Sequence, residues 1–280
     1  MTAPVLVFPP TVAEVPLVFD SPHSGNVYPD GFETLLPRAR MRRAEDAFVD
    51  ELFGAAPGHG ATLIKATFPR LYVDPNRASD DFDPKEADGD FPFPLNPSTK
   101  AEMGKGIVWT RLHGLAEIYG SPLSAKEVCH RIDAYWRPYH DAVKSALDET
   151  YQAHGAVYHV NCHSMRARGN PTDEDGEVDR PDFVISDRDG RSSGVAFTHL
   201  VRDHLAGRGY DARINDPYKG AELVRAYSDP ATGRHSIQIE INRRLYMNEE
   251  SVEITAAFEP FRDEMTMLIE AVCAYVVAEI

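Results

Sequence analysis

Short apolar runs that alternate with helical patterns are the feature that most constrains the fold of this chain. The runs PLVF, ATLIKATF, RLYV and GAVYHVNC are bounded by Gly, Pro or Asp and have the length of buried strands. The helical patterns span residues 42–56, 124–154, 193–209 and 252–280, with interruptions expected at Pro138 and near Pro260. Strands that alternate with helices predict an α/β fold whose helices cover both faces of a mostly parallel or mixed sheet.

The size and charge of the chain narrow its possible functions. We expect a single domain over residues 1–280, a length that suffices for one large core. A formal net charge of -15 argues against nucleic acid and anionic membranes as partners. The apolar stretches are shorter than the roughly 18 residues that span a bilayer. Three widely spaced cysteines indicate a reducing compartment, so we expect a cytoplasmic protein.

Two long segments, 78–120 and 166–181, show neither a helical nor a strand pattern. Loops of this length inside a compact domain are often functional, so both are predicted to cover a site.

Polar side chains follow three of the predicted strands. His23 follows PLVF, and His163 follows VYHVNC. Asn76 and Arg77 follow RLYVDP. Because ligands collect beyond the carboxyl ends of strands in open α/β sheets, these positions predict a site for a metal or an anion.

The two histidines, His23 and His163, are candidate metal ligands. A hydrolytic zinc site commonly has three protein ligands, and Asp46 or Glu45 could supply a carboxylate as the third. Simpler interpretations stay open: His23 as a turn residue, His163 as a hydrogen-bonded core histidine, and Asp46 as a partner of a helix dipole.

The segment HSIQIEIN alternates isoleucine with Gln238, Glu240 and Asn242, so a strand would present the three polar groups on one face. The simpler interpretation is a solvated sheet face. The alternative places Glu240 at the metal, where it could take a proton from water and pass it to a leaving amine.

The forked guanidinium group of arginine suits carboxylate ligands. The candidates for such binding near these strands are Arg77, Arg166, Arg225, Arg243 and Arg244. No H-E-x-x-H helix or phosphate-binding glycine loop is present in the sequence. Cys162 adjoins His163, but neighbours in a strand point to opposite faces, so we interpret Cys162 as structural.

The segments DSPHSG, EDAFVDELF, YVDPNR, YWRPYH, NCHSMR and YKGAELVRAYSDPATGRHSIQIEINRRLYM resemble, in order and spacing, the N-formylglutamate amidohydrolase family. The resemblance extends from about residue 17 to about residue 250. It implies a three-layer α/β/α sandwich with a mixed, mostly parallel sheet, similar to the phosphorylase/hydrolase and zinc carboxypeptidase folds and related to the aspartoacylases.

The resemblance also implies roles for individual residues. The metal ligands would be His23, Asp46 and His163, holding one divalent ion, with zinc expected and iron, manganese or cobalt compatible. Glu240 would be the general base. The substrate-binding residues would be Asn76, Arg77, Arg166, Lys219 and Arg225.

Two positions depart from the family pattern: Asn161 stands where Asp is often found, and Pro75 where Leu is common. Neither removes a proposed ligand. The expected activity is hydrolysis of N-formyl-L-glutamate to formate and glutamate. The alternatives are another N-acyl amino acid or short peptide as substrate, an inactive binding protein with the same fold, and a thiol hydrolase that uses Cys162.

Overall fold

The computed structural model describes residues 2–112, 116–171, 173 and 175–279. Its strands, in chain order, are β1 (Val5–Phe8), β2 (Leu17–Ser21), β3 (Thr62–Ala66), β4 (Ala87–Asp88), β5 (Leu123–Ser124), β6 (Val157–Met165), β7 (Phe183–Ser186), β8 (Ala212–Ile214), β9 (Arg234–Asn242), β10 (Met247–Asn248) and β11 (Glu253–Ile254). Seven of them form a sheet in the order β1-β3-β2-β6-β9-β7-β8. β1 and β7 run antiparallel to their neighbours β3 and β9, and the other pairs are parallel.

The helices are α1 (Arg38–Arg42), α2 (Val49–Leu52), α3 (Thr99–Glu102), α4 (Ala125–Arg131), α5 (Arg137–His154), α6 (Val195–Gly207), α7 (Glu222–Ala226) and α8 (Phe258–Ala278). On one face of the sheet, Leu17 and Phe19 of β2 pack in one core with α2, α6 and α8. On the other face, Val18 joins a second core with α4 and α5. The predicted three-layer α/β fold with a mixed, mostly parallel sheet is therefore confirmed.

Side-chain alternation gives the two faces of the central strands different chemistry. Ile237, Ile239 and Ile241 of β9 lie in the first core. The opposite face of β2, β6 and β9 is polar and buried, and it carries Asp20, His159, Asn161, His163, Ser236, Gln238 and Glu240. The predicted strand at HSIQIEIN is confirmed, but its polar face is not solvated.

Two predicted elements are wrong. RLYV is a turn, because the backbone N–H of Asp74 donates to the carbonyl of Ile107 (2.6 Å) rather than to a neighbouring strand. The single helix over residues 42–56 is broken into turns before α2, because the N–H of Asp46 donates to the carbonyl of His23 (3.0 Å) and Phe48 is left-handed (φ 67°). The apolar run RLYV therefore correctly indicated that these residues are buried, but it did not show that they form a strand.

The two prolines behave differently from each other. A π-helix, Ile132–Trp136, lies between α4 and α5 next to Pro138, which confirms the expected interruption. Pro260 lies in the first turn of α8, where a missing N–H breaks no intrahelical bond, so the interruption expected there is wrong.

The strands β1, β7 and β8 are not among the predicted ones. Among the described residues, segment 78–120 contains only short elements, including β4 and α3, and segment 166–181 contains no helix or strand. Positions 113–115, 172 and 174 lie outside the description. No helix within the described ranges is long and apolar enough to cross a membrane.

Candidate metal centre

Two imidazoles and one carboxylate meet beyond the carboxyl end of β2. His23 lies two residues after β2, His163 lies in β6, and Asp46 lies in the turns before α2. One nitrogen of each ring and one carboxylate oxygen all lie within 4.8 Å of one another, and all three side chains are buried. The structure thus brings together the three side chains proposed as metal ligands.

The outer nitrogen of each ring is held by an oxygen. His23 Nε2 lies 2.6 Å from Asp74 Oδ1, and His163 Nε2 lies 2.7 Å from Asn161 Oδ1. Burial lowers the pKa of His163, which favours the neutral ring. A neutral imidazole that donates from Nε2 presents a lone pair at Nδ1.

Both Nδ1 atoms face the same oxygen, Asp46 Oδ2, at 3.3 Å from His23 and 3.0 Å from His163. Either protons on the Nδ1 atoms or a cation between the three groups satisfies this arrangement, and the donor set fits a divalent metal ion. Two nitrogens and one carboxylate also leave coordination positions for water and substrate.

The other carboxylate oxygen of Asp46, Oδ1, contacts two arginines. Arg243 Nη2 donates to Asp46 Oδ1 at 2.8 Å, and Arg70 Nη1 lies 3.5 Å from the same atom. Burial alone would raise the pKa of Asp46, but hydrogen bonds with His163 and His23 and the charge of Arg70 hold it well below its usual range. Asp46 is therefore ionised, as a metal ligand must be.

Glu240 lies directly across from His163 in the parallel pairing of β6 and β9. Gln238 Nε2 donates to Glu240 Oε1 at 2.9 Å. Burial, followed by the nearby charge of Asp46, raises the pKa of Glu240 to about 8 despite opposing arginines. A carboxyl group with a pKa near neutrality can both accept and release a proton at physiological pH.

A cavity of about 390 Å³ opens onto this cluster. Its lining includes eight cationic side chains: Arg70, Arg77, Lys100, Lys105, Arg166, Arg180, Lys219 and Arg243. In a chain of net charge -15 this concentration of positive charge suits an anionic ligand. Segments 78–120 and 166–181 both contribute lining residues, including Lys105 and Arg180.

The proposed substrate-binding residues differ in position. Asn76, Arg77 and Arg166 line the cavity, and Arg166 pairs with Asp173. Lys219 also lines it but is 61% exposed and pairs with Asp189. Arg225 is not among the lining residues.

Arg225 pairs with Glu222 and is 54% exposed, so the structure does not bring it to the cluster. Arg244 is likewise exposed and pairs with Asp182. Among the arginines flagged in the sequence, Arg243 is the one that contacts a proposed metal ligand.

Two alternatives from the sequence receive no structural support. The carboxylate of Glu45 is occupied by Tyr28 and Arg42, so Asp46 and not Glu45 joins the cluster. Cys162 lies in the apolar core on the face opposite His163, and burial raises its pKa well above the usual range. A protonated, inaccessible thiol cannot serve as a nucleophile.

Sequence reasoning missed residues around the centre, notably Asp74, Arg70, Trp109, Lys105, Arg180, Tyr218 and Gln238. Asp74 accepts from His23, Arg70 and the indole of Trp109. The only sequence signal for Asp74 was its place in YVDPNR, next to Asn76 and Arg77.

Comparisons with known proteins agree with the geometry. The family model for N-formylglutamate amidohydrolase matches residues 15–247. The crystal structure of an N-formylglutamate amidohydrolase from Ralstonia eutropha JMP134 is 40% identical, has a TM-score of 0.96 and covers 100% of both chains. The N-formylglutamate deformylase of Pseudomonas putida is 29% identical over 241 residues, covering 84% of this chain and 83% of that protein.

A gene product of Agrobacterium tumefaciens, 21% identical with a TM-score of 0.68 over 97% of this chain and 96% of that one, shares the fold. The match of the family model extends over most of the strands and helices that build the cluster, including β2, β6 and β9. The chain belongs to the N-formylglutamate amidohydrolase family.

Proposed function

We propose that this protein is a metal-dependent amidohydrolase that hydrolyses N-formyl-L-glutamate to formate and L-glutamate. The observation that carries the proposal is the buried His23–Asp46–His163 cluster, which adjoins Glu240 in a cavity rich in cationic side chains. Family membership supports the same reaction, since relatives carry the names N-formylglutamate amidohydrolase and deformylase. The substrate would be a small anionic N-acyl amino acid.

The ligands His23, Asp46 and His163 would hold one divalent ion, for which zinc is the first expectation. When bound, such an ion supplies Lewis acidity to a carbonyl oxygen and lowers the pKa of water. Asp74 and Asn161 fix the two rings so that each Nδ1 points inward.

Glu240 would move the proton. Hydrolysis adds water to the formyl carbon and breaks the C–N bond, and the departing nitrogen must gain a proton. Glu240 accepts one proton of the attacking water and delivers it to that nitrogen. The formic acid that is released then gives its remaining proton to the amine, so the products are formate and the ammonium form of glutamate. The pKa of Glu240, about 8, suits both of its transfers.

Positive groups would orient the substrate. Arg77 would bind a carboxylate of the amino acid, and the amide of Asn76 would bind the substrate carbonyl. Arg166 lies at the cavity wall, where its pairing with Asp173 makes it a positioning group rather than a free anchor. Lys219 would contribute at the exposed rim.

The test compares Glu240→Gln with Glu253→Gln, an exposed glutamate in β11. The purified proteins are analysed for bound metal and assayed with N-formyl-L-glutamate before and after chelation. We expect equal metal content in all three proteins, loss of activity on chelation, and a drop of about 10³-fold in kcat for Glu240→Gln alone. Undiminished turnover in that variant would remove Glu240 from the mechanism.

A panel of N-formyl, N-acetyl and N-succinyl amino acids tests the substrate. N-formyl-L-glutamate is expected to give the highest kcat/KM. A higher value for another acyl group would keep the chemistry and replace the substrate.

A further inference from the structure

Seven of the eight cations that line the cavity fall into two groups, and the eighth, Lys100, lies in α3. Arg70, Arg166, Arg180, Lys219 and Arg243 each form an ion pair with an aspartate. Within the described part of the chain, Arg77 and Lys105 form no ion pair with a carboxylate. Arg77 uses its Nε to donate to the backbone carbonyl of Lys105 at 3.2 Å, so the two residues lie side by side on one wall.

Lys105 is held in place by the loop that carries it. It is only 6% exposed, although buried lysines are rare unless their charge is paired. Its neighbours are two glycines. Gly104 has φ +76°, and a Cβ there would lie 2.7 Å from Thr110 Oγ1. A Cβ on Gly106 would lie 2.3 Å from the carbonyl oxygen of Asp81.

The same loop is bonded to the metal centre. Ile107 accepts from the N–H of Asp74, the residue that orients His23, and its own N–H donates to the carbonyl of Asp81 at 2.7 Å. The backbone on both sides of Lys105 is therefore fixed relative to the cluster. Burial lowers the pKa of Lys105. The charge of Asp173 raises it, and the charges of Lys100 and Arg166 lower it further, so the net shift is downward. Such a lysine gains most from an incoming anion.

We infer that Lys105 and Arg77 together bind the two carboxylates of a dicarboxylate substrate, and that Lys105 is the residue that selects a second carboxylate over a neutral side chain. The inference rests on the proposed function for the reaction at this site. It adds the residue that separates N-formyl-L-glutamate from N-formyl-L-glutamine, which has the same shape and one carboxylate fewer.

The test measures discrimination between these two compounds in wild type, Lys105→Met and Lys126→Met. Lys126 is exposed on α4 outside the cavity and controls for loss of one positive charge. In Lys105→Met we expect kcat/KM for N-formyl-L-glutamate to fall about 10–100-fold, as for loss of a charge-assisted hydrogen bond. The value for N-formyl-L-glutamine should change less than about 3-fold. Lys126→Met should match wild type on both.

A binding measurement separates this inference from the proposed reaction. Isothermal titration of L-glutamate and L-glutamine into the same proteins reports discrimination even if wild type hydrolyses neither formyl compound. Weaker binding of glutamate alone in Lys105→Met upholds the inference, whatever the reaction proves to be. Equal losses for both ligands, or no loss for either, overturn it.

Thermal unfolding of each variant accompanies these measurements. Met keeps the aliphatic stem and introduces no charge to bury, so the Tm of Lys105→Met should not fall below wild type. If that variant does not fold, Lys105→Gln takes its place with the same expected loss of discrimination.

Discussion

Two polar clusters share one face of the central strands, and their difference separates a structural network from a functional site. The internal network consists of Asp20, Tyr139, His159, Asn161 and Ser236. The metal centre begins four residues further along β6, at His163. Both contain a buried histidine beside a buried aspartate. Among the described residues, those of the metal centre line the cavity, whereas those of the internal network do not.

The polar groups of the internal network form hydrogen bonds with one another. His159 bonds to Ser236 Oγ and to Asp20 Oδ1, both at 2.8 Å, and Tyr139 donates to Asp20 Oδ2 at 2.7 Å. Burial would raise the pKa of Asp20, but the charge of His159 and the hydrogen bonds from its neighbours lower it overall. All of these groups have partners from the protein itself, so the network needs no ligand.

The metal centre is arranged differently. Its two Nδ1 atoms face a carboxylate oxygen, and Glu240 is buried with a raised pKa. A buried histidine alone therefore indicates nothing about function. The informative feature is the convergence of two imidazoles on one carboxylate oxygen at the edge of a cavity, beside a carboxyl group whose pKa is raised.

The largest expected difference follows from replacing the two histidines of β6 in turn. His163→Ala removes one of three proposed metal ligands, so we expect kcat/KM to fall about 10³-fold or more, with reduced metal content. Kinetics and metal analysis of the purified protein measure this. Full metal content with near-normal turnover would show that His163 belongs to a structural network like that of His159.

The complementary change, His159→Ala, should act on stability instead. It leaves the buried carboxylate of Asp20 without the hydrogen bond from His159 Nε2, and removing one member of such a buried pair costs about 3 kcal/mol. Urea unfolding measures the free energy, and kcat of the folded protein should stay within about 3-fold of wild type. Ser236→Ala, which removes one hydrogen bond of the same histidine, should cost only about 1 kcal/mol. A stable, inactive His159→Ala protein would contradict the distinction.

The sequence predicted the strands that carry both clusters, because β2, β6 and β9 are apolar on at least one face and each begins within two residues of a Gly or Pro. It also identified His23, Asp46 and His163, through strand ends and family resemblance. Side-chain alternation alone could not distinguish His163 from His159, since both lie on the same face of the strand in VYHVNCH. The distinction depends on the cavity, which is built by segments far away in the chain.

Asp74, Arg70 and Lys105 were missed for the same reason. Leu71 accepts from the N–H of Trp109, and this long-range bond turns a run with strand composition into a turn that points Asp74 at His23. Lys105 lies in a segment without periodicity, where local pattern gives no position for a side chain. Its two flanking glycines were the only visible sign of a constrained backbone.

Asn161 joins the two clusters and explains a departure from the family pattern. Its Nδ2 donates to Asp20 Oδ1 at 2.8 Å, while its Oδ1 accepts from His163 Nε2. A carboxylate cannot donate, so Asn161→Asp would place two carboxylates face to face unless one binds a proton. We expect a loss of about 2 kcal/mol at pH 7.

Urea unfolding measures the stability of Asn161→Asp, and Asn248→Asp serves as the control. Asn248 is exposed in β10, and its Oδ1 accepts from the N–H of Glu250, a role that aspartate retains. Wild-type stability of Asn161→Asp between pH 6 and 8 would show that the amide is not required as a donor.

A pH titration tests the opposite pKa shifts of two buried carboxyl groups, Glu240 and Asp20. The pKa of Glu240 is raised to about 8, so the folded state holds its proton more tightly than the unfolded chain does. The resulting stability is fully present below about pH 4.5 and is lost as the pH rises to about 8. Because glutamine does not titrate, metal-stripped Glu240→Gln should gain stability relative to metal-stripped wild type as the pH rises from 5.5 to 7.5. The gain is at most about 1.4 kcal/mol per pH unit.

Asp20→Asn provides the contrast, because the pKa of Asp20 is lowered. Its contribution to stability is present above the pKa of the unfolded chain and is lost only as the pH falls below that value, outside the window from 5.5 to 7.5. The difference in unfolding free energy between Asp20→Asn and wild type should therefore stay constant across the window, while that of Glu240→Gln slopes. Urea titrations at five pH values measure both. Parallel lines for the two variants would mean that Glu240 is ionised throughout the window and that its pKa is not raised.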